Sequence, residues 1–498
     1  MFRFLRDSRL AALIVVVLGA FPFLLPNPLS LDDGLRHFEM AKLMAQKGIM
    51  GTEGWSEFLY GGYLSNLKTD PWFLSDLLMV PLTALSAETA LKIFTAFTLA
   101  CVAGASVLAL RSLRISKTFA GIALAVLMFG DQQFLGRLLI ARPFGLMTAV
   151  FIFSLYTVIR RRYILAGISM SVAVLLSQLF VFPLVVFVIA ALWLFCTRRK
   201  RDAVLLAGCV LCGLLLGLTL HPYPHEYVQY LYSAFIQIPF LGNTVELSKE
   251  MTSGFADVSG MGVIILIGSA VILTFMEWRT RSRAFLRTPS FFLILVTFSL
   301  LPLYVFWVRT IDLLWPVLVL LNTGLISVQL KPVMKFVHLL RGKKLLRILG
   351  SAYASAQILL VPGWFALHNH ENTLNVYEVL QQLPSGARVL NLDWERFFAY
   401  VSVRPDLEYA AGIDPSFTFL TEPEAAKALQ QLQDGTLETL PGSQEAAGSM
   451  MKLLLKYYPA DYIAVHRGKY DELMKIAGKL PFLKPIAESP AMMIYSVQ

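Results

Sequence analysis

Between residues 10 and 366 the chain is a series of apolar runs divided by short clusters of lysine and arginine. Hydrocarbon offers no water to a backbone N–H or C=O, so such runs fold as membrane-spanning helices whose peptide groups pair within each segment. Hydrophobic residues make up 56% of the chain and charged residues 15%. Soluble domains carry about a quarter of charged residues, so lipid is the solvent for most of this sequence.

The basic clusters set the topology. With the N-terminus inside, spans at 10–27, 90–110, 118–130, 144–159, 163–179, 181–196, 203–220, 261–278, 289–308, 311–330 and 346–366 leave every cluster on the cytoplasmic side, as the positive-inside rule requires. Those clusters lie at 1–9, 111–117, 160–162, 198–201, 279–287 and 331–347. The run Trp72–Leu85 is too short to cross and contains Asp76, so it reads as an interfacial or re-entrant helix; a full crossing would invert every later cluster. The N-terminus has the basic and apolar regions of a secretory signal but no small-x-small cleavage site, and reads as an uncleaved first span. The expected fold is a polytopic α-helical membrane domain over 1–365, with about eleven spans, external interfacial helices and external loops at 28–89, 131–143 and 221–260.

Residues 366–498 carry 11 basic and 16 acidic side chains, so the net charge of +10 belongs wholly to the membrane part. Sorted between spans in this way it is an orientation signal, which argues against nucleic acid as a partner. Helical patterns in NTLNVYEVLQQL, EPEAAKALQQLQDG and KYDELMKIAGKL alternate with the strand-like ARVLNL, ADYIAVH and AMMIYSV, which predicts an external soluble α/β domain over 366–498. The four cysteines, Cys101, Cys196, Cys209 and Cys212, all fall in or beside apolar runs. Cys209 and Cys212 form a CxxC inside a lipid-soluble helix and read as small packing residues.

Residues able to carry chemistry gather on the external side. Directly after the first span, Leu31-Asp32-Asp33-Gly34-Leu35-Arg36-His37 runs into a helix. Asp33 and His37, four apart, share a face, with Arg36 beside them. A carboxylate there reads either as a general base or as the N-cap of an interfacial helix. The following loop holds Trp55, Glu57, Tyr60 and Asp70, a mixture that suits stacking on sugar faces and binding hydroxyls, or an aromatic belt at the interface. Arg137 and Arg142 are cations where cations are scarce; a phosphate-linked substrate or ordinary phospholipid would account for them. His221, His225 and Glu226 are interrupted by prolines, which prevents a helical zinc geometry, and Glu246 and Glu250 follow. Arg309 and Asp312 read as an ion pair or a further phosphate contact.

Taken together, these segments resemble the GT-C superfamily of integral membrane glycosyltransferases, which includes oligosaccharyltransferase catalytic subunits, protein O-mannosyltransferases and lipid A aminoarabinose transferases. Asp32-Asp33 followed by Arg36-His37 looks like that family's acidic motif after the first span, and the external terminal domain fits its layout. The resemblance implies transfer of a sugar from a polyprenyl-phosphate donor to a lipid, glycan or protein acceptor. Asp33 would be the catalytic base or metal-orienting carboxylate, with Asp32 as the alternative. A divalent cation, Mg or Mn, would sit at Asp32 and Asp33 if one is used. Arg137, Arg142 and Arg309 would grip the donor phosphate, and Glu246 or Glu250 would supply a loop carboxylate. Other substrate contacts are expected among Arg36, His37, Trp55, Glu57, Tyr60, Asp70 and His221.

The sequence departs from the oligosaccharyltransferase branch: the loop between the third and fourth spans lacks an acidic DxD-like pair and the C-terminal domain lacks a WWD motif. Metal dependence is therefore left open. Gly412-Ile413-Asp414-Pro415 and Tyr458-Pro459-Ala460-Asp461-Tyr462-Ile463 resemble segments of uncharacterised bacterial members. The layout implies an integral protein of the cell membrane, the inner membrane of a bacterium, with a cytoplasmic N-terminus and a periplasmic or extracellular C-terminal domain. A lipid-linked glycan flippase or transporter would bury ionisable residues in mid-span and show inverted repeats. A non-catalytic membrane assembly protein would leave Asp33 dispensable.

Overall fold

The computed structural model describes residues 9–24, 34–238, 260–306, 310–329, 374–393, 396–410, 417, 420–433, 443–466, 474, 476–490 and 492–498. The chain divides into two compact units. A helical unit takes Met1–Leu29, Leu91–Leu220 and Lys249–Asn369, and a mixed unit takes Ser30–Ala90, His221–Ser248 and His370–Gln498.

Among the described residues, five helices are long and apolar enough to cross a membrane: Ala87–Ser112, Gln178–Cys196, Lys200–Leu220, Gly262–Arg281 and Ile311–Val328. A sixth is added if Phe119–Phe129 and Gln132–Leu139, bent by 74°, form one broken span. Shorter apolar helices occupy Pro143–Ile159, Tyr163–Leu176 and Pro289–Val305. The protein is thus an integral membrane protein, but the helices that pass this test are fewer than the eleven spans expected, and 346–366 lies outside the described residues.

Two local features show how sequence shapes the helical unit. The bend at 130–131 arises because the Asp131 carboxylate accepts a hydrogen bond from Phe134 N at 2.8 Å and starts a new helix. Gly130 beside it has no room for a side chain, since a Cβ would stand 2.7 Å from the Trp315 ring. Elsewhere, a Cβ on Gly213 would meet the Gly167 carbonyl oxygen at 2.0 Å and one on Gly167 would meet the Cys209 carbonyl at 2.5 Å. The Tyr163–Leu176 and Lys200–Leu220 helices therefore touch backbone to backbone, as small residues allow in lipid.

The mixed unit is built on a five-stranded sheet in the order β2-β1-β3-β5-β4, where β1 is Arg388–Asn391, β2 Glu408–Tyr409, β3 Tyr462–His466, β4 Leu483–Glu488 and β5 Met492–Val497. β1 is parallel to both β2 and β3, whereas β5 runs antiparallel to β3 and β4. β3 reads Tyr-Ile-Ala-Val-His and is buried along nearly its whole length, the continuous apolar run of a strand covered on both faces. Pro485 sits on edge strand β4 at a bulge, where the lost N–H costs no ladder bond. Helices Pro423–Gln433 and Ser443–Tyr457 cover the sheet through Ala425, Leu429, Leu432, Met451 and Leu454. Of the expected C-terminal helices, the first part of KYDELMKIAGKL, 469–473, and residue 475 lie outside the described residues.

The 54–70 loop is fastened to this sheet. Tyr60 N donates to Tyr409 O at 3.1 Å, Tyr409 N donates to Phe58 O at 2.9 Å, and Leu59 bridges Tyr409 in parallel. The loop thus adds one more backbone segment beside β2. It also closes on itself at Gly54, whose φ of 70° and contact with Thr69 exclude any side chain.

Candidate functional site

The Gly34–Lys47 helix opens with eight consecutive buried residues that include Arg36, His37 and Glu39, an unusual fate for charged side chains. The reason lies in what surrounds them. The Arg36 guanidinium carbon stands 5.0 Å from the Trp55 ring centroid and 4.8 Å from that of Trp72, within cation–π range. His37 Nδ1 lies 2.7 Å from Asp76 Oδ1, and its ring meets Trp72 edge-on at 5.4 Å. The short Phe73–Met79 helix thus supplies the carboxylate, and the loop before it supplies the indoles.

Asp70 joins Asp76 to complete the cluster. Asp70 Oδ1 accepts from Trp72 N at 3.0 Å. Asp70 and Asp76 lie within hydrogen-bonding reach of each other, and the Trp55 indole N–H points toward Asp70. Two carboxylates in contact require a proton between them. Burial pushes the Asp76 carboxyl well above its usual range, with the neighbouring Asp70 charge adding to it, while Arg36 opposes the rise. Burial also raises Asp70. With one shared proton the pair carries a single negative charge, which Arg36 offsets.

His221 supports the cluster from its far side. Its Nε2 donates to the Asp70 carbonyl oxygen at 3.1 Å and its Nδ1 accepts from Tyr223 N at 3.4 Å, so both nitrogens are used by the neutral ring. Burial lowers its pKa to about 4. The imidazole stacks on Tyr227 at 4.2 Å, and a series of near-parallel rings continues through Tyr230, Phe417 and Tyr63.

Of the residues singled out in the sequence, Arg36, His37, Trp55, Asp70 and His221 fall into this one cluster. Glu57 and Tyr60 belong to the same unit but have other partners: Glu57 pairs with Lys47 at 2.6 Å, and Tyr60 lies 5.3 Å below the Arg388 guanidinium. Arg137 is in the helical unit, where its Nε donates to both carboxylate oxygens of Asp312, at 2.9 and 2.8 Å. Asp312 is thereby paired with Arg137. These two side chains, with Thr148 and Thr310, line a cavity of about 20 Å³, room for about one water. Arg142 is half-buried at the start of the Pro143–Ile159 helix. Asp32, Asp33, Glu246, Glu250 and Arg309 lie outside the described residues. Asp76 and Trp72 are the members not anticipated as site residues; a solitary carboxylate in an apolar run was the available signal for the first, because it must find a partner.

Among the described residues no three His, Cys, Asp or Glu side chains gather in a metal-holding group. The cluster therefore offers no metal cradle of its own: its carboxyls are turned to each other and to His37, and His221 to backbone.

By sequence, neither a family model nor a curated protein matches this chain. Its structure is similar to several that have been solved. The oligosaccharyltransferase of Archaeoglobus fulgidus in the apo form superposes with a TM-score of 0.62 at 11% identity, covering 92% of this chain and 69% of that one. ArnT from Cupriavidus metallidurans bound to undecaprenyl phosphate gives 0.59 at 13% identity, covering 98% and 97%. AglB from Archaeoglobus fulgidus, in complex with an inhibitory peptide and a dolichol-phosphate, gives 0.58 at 10%. The chain thus shares the fold of these solved proteins over nearly its whole length.

Proposed function

We propose that this chain is a membrane glycosyltransferase that moves a sugar from a polyprenyl-phosphate donor to a lipid, glycan or protein acceptor on the external face of the membrane. The observation that carries this reading is the fold shared with ArnT over 98% of the chain, a protein solved with undecaprenyl phosphate. The buried Arg36 and His37, three and four residues after Asp33 in sequence, support it. In this reading the protein resides in a bacterial inner membrane, with the N-terminus cytoplasmic and the C-terminal domain outside.

A prenyl tail held in lipid leaves the sugar–phosphate bond at the membrane surface, beside the loop that follows the first span. The acceptor hydroxyl oxygen attacks the anomeric carbon, its proton passes to the carboxylate of Asp33 or Asp32, and the carbon–oxygen bond to phosphate breaks. Polyprenyl phosphate leaves with the bonding electron pair, and the guanidiniums assigned by resemblance, Arg137, Arg142 and Arg309, balance its charge. Arg36, His37, Asp70 and Asp76 are too enclosed to meet a sugar directly and serve to hold the start of the Gly34–Lys47 helix. An Archaeoglobus fulgidus oligosaccharyltransferase has been solved with zinc and sulfate.

The test is turnover of a radiolabelled polyprenyl-phosphate sugar by the purified full-length protein. Release of polyprenyl phosphate should occur in the wild type and fall by at least a hundredfold in either Asp33→Asn or Asp32→Asn. Full rates in both variants would remove the proposed base. No turnover of any polyprenyl-linked sugar, with vesicle transport of the same lipid observed instead, would favour a flippase.

A further inference from the structure

The Lys200–Leu220 helix is long and apolar enough to span the bilayer, and only three residues separate its end from the helix Pro224–Tyr232, which continues through Ser233–Gln237. This second helix has two unlike faces. Tyr227, Tyr230 and Ser233 are buried and locked in place: Tyr227 stacks on His221, Tyr230 on Phe417, and Ser233 Oγ bonds to the Tyr63 hydroxyl at 2.5 Å. On the other face Val228, Tyr232 and Ile236 are 50%, 56% and 47% exposed. Four residues apart, they form one stripe. From Tyr227 to Ile238 the sequence contains no charged residue.

A second apolar tip sits beside the start of this helix. Tyr223 OH donates to Met50 O at 3.2 Å, and Met50 and Ile49 are both exposed. Such a surface facing water would be an uncompensated apolar patch. Only three residues link the Pro224–Tyr232 helix to the apolar Lys200–Leu220 helix, so the chain enters it within about 10 Å of the end of that helix.

We infer that the Pro224–Gln237 segment is a membrane-surface helix, with Val228, Tyr232 and Ile236 inserted between lipid acyl chains at the level of the headgroups. Tyrosine suits this depth, because its ring enters the apolar layer while its hydroxyl stays hydrated. The stacked inner face then ties the mixed unit to the lipid. Because His221, next to the helix start, donates to the Asp70 carbonyl, the height of the helix also sets the height of the Arg36–Asp76 cluster above the bilayer. The inference rests on the membrane character of the chain and is independent of the proposed enzymatic activity.

The experiment uses the full chain in phosphatidylcholine nanodiscs, with the four native cysteines replaced by serine and single nitroxide labels at positions 228, 232 and 236. Leu211, exposed on the preceding span, serves as lipid reference, and Lys484, exposed on β4, as water reference. Collisions with oxygen should exceed those with a water-soluble nickel chelate at all three positions, as at 211. Preference for the nickel reagent, as at 484, would overturn the inference. So would low collision rates with both, which would mean that a protein partner or a second copy covers the stripe. In the native cysteine background, Tyr232→Trp adds an emission that brominated acyl chains should quench relative to the parent protein. Equal quenching of parent and variant would also overturn it.

Discussion

His37 Nδ1 and Asp76 Oδ1 lie 2.7 Å apart, bridging 39 residues of sequence with side chains that are almost wholly buried. Asp76 has a second neighbour in Asp70, so it both accepts from histidine and shares a proton with a carboxyl.

Asn at position 76 can reproduce both contacts, its carbonyl accepting from His37 and its amide donating to Asp70. Asp76→Ala removes the partner of His37 Nδ1 and of one Asp70 carboxyl oxygen, a loss of about 1–3 kcal/mol for each group left unsatisfied. Thermal unfolding in detergent should therefore show Asp76→Ala well below wild type, by several degrees, and Asp76→Asn much closer to it. Equal losses in the two variants would mean that the volume, and not the hydrogen bonds, matters.

The carboxyl pair and His221 pull stability in opposite directions with pH. Both carboxyls are raised in the folded protein, so the native state keeps protons that the unfolded chain releases above about pH 4. Their contribution falls as pH rises from there toward the folded values. Asp70→Asn should flatten that decline in unfolding measurements across pH 4 to 8.

His221 behaves as the mirror case. Its folded pKa of about 4 lies below the unfolded value of about 6.5, so the unfolded chain binds the extra proton first. Its contribution is complete above pH 6.5 and is lost as pH falls toward 4, with a slope of up to about 1.4 kcal/mol per pH unit. His221→Gln should remove that slope while keeping a donor toward the Asp70 carbonyl. A wild-type curve with the same slope as the variant would show that His221 titrates alike in the folded and unfolded chain.

Gly54 and Gly48 separate two costs of adding a methyl group. Both have positive φ, but a Cβ at Gly54 would stand 2.2 Å from the Thr69 carbonyl oxygen, whereas one at Gly48 meets nothing within 4 Å. Gly48→Ala should cost about 1–3 kcal/mol of backbone strain alone. Gly54→Ala carries the same strain plus a clash with a fixed backbone, and should release the loop that holds Trp55. Tryptophan fluorescence should then shift to the red in Gly54→Ala and not in Gly48→Ala.

Much of this arrangement is legible in the sequence, for stated physical reasons. β3 is readable because a strand covered on both faces must be apolar throughout, and Arg36 and His37 stand out because charge follows directly on a span. The partner of His37 is not readable: Asp76 reaches it only through packing of the Phe73–Met79 helix against Gly34–Lys47. Composition also fails to separate Trp55 from Tyr60. Both are aromatic residues of one loop, yet one stacks on Arg36 and the other lies against Arg388 on the sheet. Arg137 and Asp312, 175 residues apart, show the same limit, since two isolated charges signal that each needs a partner without saying which.

That last pair gives a sharp test. Arg137 Nε bonds both oxygens of Asp312, and the side chains are 15% and 8% exposed, so removing either charge leaves the other enclosed. Breaking such a pair costs about 3–5 kcal/mol, whereas replacing both partners with neutral groups can be nearly neutral. Arg137→Met and Asp312→Asn should each destabilise the protein strongly, and the double variant should recover most of the loss, a coupling readable in a double-mutant cycle. Arg137→Lys should fall between, because an ammonium keeps the charge but not the planar fork. If the two single losses simply add, Arg137 is held by other contacts. In either event Arg137→Met should raise KM for the polyprenyl-phosphate sugar.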